Sequence, residues 1–263
     1  MNQKILETTL IDLPLGSIKY YEKVGSTNEL AVELSEKGAP DLSLIVANEQ
    51  TSGRGRAGRR WFTPPDCALA FSLLLKPYKT TIPDHLTKVT GLGALAVREG
   101  LNEAYNLQAE IKWPNDVLLD GKKICGVLAE AHWMGDQLQA LILGIGINVA
   151  SESVPPPEEL IFPATCIADV VGKDVDRLEI IESVLTNLIR WRNKIAQPTF
   201  MTAWNKHLAY RGEIVQLLSG EAPTIEGRVV GLDESGRLIL RMEDEEEKTF
   251  QSGEIHLRPL VDR

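Results

Sequence analysis

AEIKWPNDVLLDGKKICGVLAE, residues 109–130, followed by LQALILGIGINV, residues 138–149, is the stretch on which the fold turns. Its apolar and β-branched runs at 109–113, 117–119, 123–130 and 138–149 read as consecutive strands, and Asp120-Gly121 between the second and third is a hairpin dipeptide. A meander of this length predicts one side of a mixed β-sheet. Upstream, residues 18–24 (IKYYEKV) read as a strand ending at the turn Gly25-Ser26-Thr27-Asn28. A helix should follow, with Ser26 and Glu29 as a capping box, Leu30, Ala31 and Leu34 at helical spacing, and Gly38 as its stop. Residues 42–47 and 68–75 are apolar runs that read as buried strands on either side of a polar Gly/Arg-rich loop. Between His85 and Tyr105, Val89, Leu92, Leu95, Ala96 and Leu101 predict a helix over one sheet face, with Gly91 and Gly93 permitting close packing.

Past the breaker-rich SESVPPP at 151–157, residues 178–195 and 199–208 read as two helices separated by Pro198. From Tyr210 the texture changes to short strands at 214–218, 225–232, 237–241 and 248–257, which predict a small antiparallel β-barrel. The expected fold is therefore α+β, a mixed sheet flanked by helices in residues 1–209, with a β-barrel domain in residues 210–263.

The chain has 263 residues, 43% of them hydrophobic, enough for a large core. Three cysteines, Cys67, Cys125 and Cys166, lie far apart with no metal-ligand spacing, which predicts neither disulfides nor zinc and suits a reducing compartment. With no signal-like N-terminus and no apolar run long enough for a membrane span, the expected location is the cytoplasm, with no membrane partner. A net charge of −9 argues against broad electrostatic binding of nucleic acid.

Chemistry concentrates in three places. The segment 53–61, GRGRAGRRW, packs four arginines and three glycines between apolar strands. Glycine admits an anion close to backbone amides, and arginine offers a fixed fork of donors to carboxylate or phosphate. A solvated basic loop or a nucleic-acid patch has the same composition. After the hairpin, strict alternation places Lys123, Cys125 and Val127 on one face and Lys122, Ile124 and Gly126 on the other, so one lysine should point inward. An inward lysine favours a bound anion, whereas two lysines reaching water at a strand start would need none. Finally, Gly144 and Gly146 interrupt a strong strand, as a ligand lying on the sheet or a bulge would require. No GxxxxGK[ST] phosphate loop and no GxSxG is present, and His85, His132, His207 and His256 are scattered.

Taken together, GSTN at 25–28, GRGRAGRRW at 53–61, KWPND at 112–116, GKKICGVL at 121–128 and GIGIN at 144–148 resemble the biotin protein ligases, in the order of that family. FQSGEIHLR at 250–258 resembles the family's C-terminal small barrel. The resemblance implies an ATP-dependent ligase that makes biotinoyl-AMP and passes biotin to a lysine of a biotin carboxyl carrier protein, of acetyl-CoA carboxylase or a related carboxylase. It implies biotin contacts from Ser26, Thr27, Asn28, Gln50, Gly53, Arg54, Gly55, Arg56, Lys123, Gly126 and Gly144. On the nucleotide side it implies Arg54, Arg56, Arg59, Trp61, Lys112, Asn115, Asp116, Asn148 and Arg258, with Asp116 helping to hold Mg²⁺. Lys123 and Arg56 would be the catalytic pair. Cys125, Ala57 and Arg60 depart from the commonest pattern. About 20 residues precede the first core strand, too few for the DNA-binding domain of bifunctional members, so no DNA binding is expected. A free strand edge would support a homodimer or acceptor docking. The alternatives are a lipoate ligase, which normally lacks the arginine loop, and a non-catalytic nucleic-acid-binding protein.

Overall fold

The computed structural model describes residues 1–77, 86–219, 224–251 and 255–259, with Ser219 and 255–259 given by their backbone alone. Its elements run α1 (Gln3–Thr9), β1 (Ser17–Val24), α2 (Thr27–Glu36), β2 (Ser43–Gln50), β3 (Ala68–Leu75), α3 (Leu86–Tyr105), β4 (Glu110–Lys112), β5 (Asp116–Leu119), β6 (Lys122–Met134) and β7 (Gln137–Asn148). Then come α4 (Ile167–Val171), α5 (Arg177–Arg192), α6 (Pro198–Lys206) and strands β8 (Ile214–Ser219), β9 (Ile225–Leu232), β10 (Leu238–Arg241), β11 (Glu247–Phe250) and β12 (Ile255–Pro259). His85, where the sequence begins the third helix, lies outside the described residues.

Seven strands form one sheet in the order β1-β2-β3-β7-β6-β5-β4, with β1 and β2 parallel and the remaining pairs antiparallel. The expected meander is its β7-β6-β5-β4 side, and Asp120 and Gly121 both adopt positive φ, 49° and 72°, at the hairpin. The two sheet faces differ. Leu69, Phe71, Leu73, Leu143, Ile145 and Ile147 point into the main core with α3 and α5. The opposite face carries α2 on a smaller cluster of Ala31, Ile45, Leu74, Ala140 and Ile142. α3 approaches its face closely because Gly93 meets Val127 and Leu143 side chains where another residue would carry its Cβ.

Both outer edges of this sheet are engaged. Gln3 of α1 accepts from Tyr20 N at 2.7 Å and donates to Ile18 O at 2.9 Å, completing two main-chain groups of β1. On β4, Ile111 N donates to His207 O and Ile111 O accepts from Ala209 N. The free edge anticipated from the sequence is thus occupied at these positions.

β8 to β12 form a five-stranded antiparallel sheet in the order β11-β10-β9-β8-β12. The single strand expected at 248–257 is two, β11 and β12, at opposite edges of that sheet. Among the described residues no pairing joins those edges into a closed barrel. The sheet docks through Trp113, whose Nε1 donates to Gly236 O at 3.0 Å, and through Trp204, whose ring lies against Gly236.

Candidate functional site

On the α2 face, small residues make a flat floor across β3, β7 and β6. Gly146 pairs with Ala70 on one side and Gly126 on the other; Gly144 pairs with Ser72 and Leu128. No register shift occurs at either glycine of β7, so the bulge reading is excluded. The indole of Trp61 lies on this floor: a Cβ on Gly126 would stand 2.9 Å from Trp61 Cζ3, and one on Gly146 would overlap the pyrrole edge. Gly144 leaves equivalent room for the Asn28 amide. Adding one methyl at Gly146 must displace the indole, so Gly146→Ala should weaken ligand binding about tenfold, in line with ~1–3 kcal/mol for overpacking a tight site. Calorimetric titration with biotin, the ligand the sequence resemblance implies, measures it, and wild-type affinity would show that the ring position is immaterial.

A chain of hydrogen bonds rims the floor. Gln50 Oε1 accepts from Thr27 N at 2.8 Å and from Thr27 Oγ1 at 3.2 Å, and its amide donates to Thr63 Oγ1 at 3.0 Å. Ser72 Oγ lies 2.7 Å from Thr27 Oγ1 and 2.5 Å from Asn28 Oδ1. Ser26 occupies the N-cap of α2 but makes no side-chain cap bond, contrary to the capping box expected with Glu29. Gln50 accepts from the N–H of Thr27, the first helical residue, and Ser26 lines the pocket.

Strict alternation along β6 also fails. The β5–β6 register shifts between Val117 and Leu118, leaving Ile124 as an extra residue. Lys123 is thereby turned to the side of Gly126, whose added Cβ would stand 3.4 Å from Lys123 Cε, while Ile124 and Cys125 are buried in the core. One lysine does point inward: Lys122 is exposed, and Lys123 Nζ sits 2.7 Å from Asp116 Oδ1 and 5.5 Å from the Trp61 ring centroid. Burial pushes the Cys125 thiol pKa far up, so this cysteine is a neutral packing group.

Two cavities meet at this lysine. The smaller, about 100 Å³, is bounded by Ser26, Thr27, Asn28, Gln50, Arg54, Gly55, Arg56, Asn115, Gly126 and Gly144. The larger, about 640 Å³, is bounded by Lys112, Asn148 and the 153–164 segment. Gln50, Arg59, Arg60, Trp61, Asp116 and Lys123 border both. Lys112 Nζ stands 3.6 Å over the Phe162 ring, and Asn148 Nδ2 donates to Thr165 O at 3.1 Å. Arg56 Nη1 donates to Asn115 Oδ1 at 3.3 Å; burial lowers its pKa, which Asp116 partly counters. Arg54 and Arg56, expected on both sides, and Asn115, expected on the nucleotide side, border the smaller cavity. Gly53 borders neither: its O accepts from Trp61 N at 2.8 Å and closes the neck of the loop. Arg258 lies in β12 opposite Gln216, and its side chain is outside the described residues.

Sequence reasoning missed Ser72, Thr63, Glu130 and Phe162. Ser72 left a signal, as the lone hydroxyl in the fully buried strand ALAFSLLL.

The site is thus a glycine floor on a mixed sheet, with an arginine loop over it and an ion-paired lysine between two cavities. Residues 20–148 match the biotin/lipoate A/B protein ligase family and residues 211–258 the biotin protein ligase C terminal domain. The chain is 34% identical to the bifunctional ligase/repressor BirA of Bacillus subtilis over 239 residues, 89% of this chain and 72% of that protein. It is 33% identical to the biotin–[acetyl-CoA-carboxylase] ligase of Paracoccus denitrificans, over 83% of this chain and 92% of that one. The biotin protein ligase from Aquifex aeolicus in complex with biotin and ATP superposes with a TM-score of 0.78 at 35% identity, covering 92% of this chain and 99% of that one. The chain belongs to the biotin protein ligase family.

Proposed function

We infer that the protein forms biotinoyl-AMP from biotin and ATP and transfers the biotinoyl group to a lysine of a biotin carboxyl carrier protein. What carries this reading is the placement of Lys123 between a small polar cavity and a larger one, within a family whose Aquifex aeolicus member has biotin and ATP bound. The rim of Ser26, Thr27, Asn28 and Gln50 suits the donors and acceptors of biotin's ureido ring, and the larger cavity suits the nucleotide.

In the first step a carboxylate oxygen of biotin attacks the α-phosphorus, the bond to the β-phosphate oxygen breaks, and pyrophosphate leaves. Lys123 and Arg56 meet the charge that builds on the carboxylate and phosphoryl oxygens. In the second step a neutral lysine amine of the carrier attacks the acyl carbon; AMP leaves and the amine proton is lost. Neither step needs a covalent enzyme intermediate.

Asp116 is the acidic residue bordering both cavities, and no cluster of three or more metal-ligating side chains occurs among the described residues. That donor set fits a Mg²⁺ held mainly by nucleotide phosphates with one protein carboxylate, which is the usual arrangement. Bound there, Mg²⁺ would neutralise phosphate charge. Among the described residues no helix is long and apolar enough to cross a membrane, and we place the reaction in the cytoplasm with its carrier. A homodimer built by strand pairing would use the outer strands of the C-terminal sheet, β11 and β12, which have no further strand partner among the described residues.

The test is return of label from radioactive pyrophosphate to ATP with biotin or lipoate. Biotin-dependent exchange is expected. Exchange with lipoate alone would move the chain to the other branch of its family, and exchange with neither would overturn the reading.

A further inference from the structure

Glu130, near the middle of β6, borders neither cavity, yet its carboxylate joins two parts of the site. One oxygen accepts from Asn28 Nδ2 at 2.7 Å, at the first turn of α2. The other pairs with the Arg54 guanidinium, at the start of the arginine loop. Arg54 also lies 3.8 Å from Glu29. The Asn28 amide in turn meets Ser72 over Gly144. One carboxylate thus fixes a rim side chain and clamps the loop's leading end, and the loop cannot lift without parting Arg54 from Glu130.

We propose that Glu130 is a positioning residue: through Arg54 it latches the arginine loop over the smaller cavity, and through Asn28 it orients the rim. Gln at this position keeps an oxygen for Asn28 and loses the charge that holds Arg54, so Glu130→Gln isolates the latch. The latch has a readout that needs no ligand, tryptic cleavage at Arg56, Arg59 and Arg60 in the free protein. Glu130→Gln should speed cleavage about fivefold, the scale of one partly exposed ion pair.

The second readout rests on the ligase reading above. Biotin KM should rise about fivefold with little change in kcat, because the latch holds ligand in place without touching the reacting atoms. In the ligand-free cleavage readout Arg54→Gln should match Glu130→Gln, and the double variant should be no worse than either, since both remove one interaction. Unchanged cleavage in Glu130→Gln, or additive effects of the two substitutions, would overturn the latch. Should wild-type protein show no biotin-dependent exchange, the ligase reading fails, and cleavage still decides the latch.

Discussion

Lys123→Met is expected to slow adenylate formation by two to three orders of magnitude, the size of effect typical when one preorganised charge stabiliser is removed. Methionine is nearly the same length and can keep the packing of the lysine stem beside Gly126 and Trp61. What disappears is the ammonium group that the Ile124 bulge has aimed at the junction of the cavities. Its loss also strips Asp116 of a partner at 2.7 Å, so the Lys123→Met, Asp116→Asn double variant separates lost catalysis from an uncompensated carboxylate. Single-turnover measurement of biotinoyl-AMP formation checks the effect. A rate within tenfold of wild type would place the chemistry on other groups, Arg56 first among them.

The largest effect on stability should come from Trp204→Ala, about 3–5 kcal/mol for removal of a fully buried aromatic. Trp204 is completely buried on α6, with the Phe200 ring centroid at 6.0 Å. It packs on Gly91 of α3, where a Cβ would overlap its six-membered ring, and on Gly236 in the turn before β10. A single side chain therefore bridges the helical layer and the C-terminal sheet, and the void would open at their junction. At roughly 2–4 °C per kcal/mol for a chain of this size, thermal unfolding should fall by about 10 °C. A shift under 2 °C would mean that neighbouring side chains collapse into the space.

Sequence pattern located the strands of the large sheet and most of its helices because their periods are long and their punctuation strong: Asp120-Gly121, Gly38 and Pro198 all mark turns or helix ends. The residues that the family resemblance put on the biotin side line one cavity, apart from Gly53. The failures differ in cause: Ser26 opens α2 without a side-chain cap bond, and hairpin pairing with the adjacent strand β5 inserted the extra residue at Ile124. Glu130 stayed hidden because its partners, Asn28 and Arg54, are 102 and 76 residues off. β11 and β12 merged on paper because strand propensity carries no information about which edge a strand joins.

The Gln3 side chain that completes the edge of β1 has a practical meaning for anyone trimming or tagging this chain. A shortened form beginning at the first strand would retain every residue of the pocket yet uncover two main-chain groups on a parallel pair, an invitation to strand-to-strand clumping at high concentration. α1, whose Leu6 is buried in the main core, is best kept as a cover, with any added sequence placed ahead of Asn2, which supplies its N-cap.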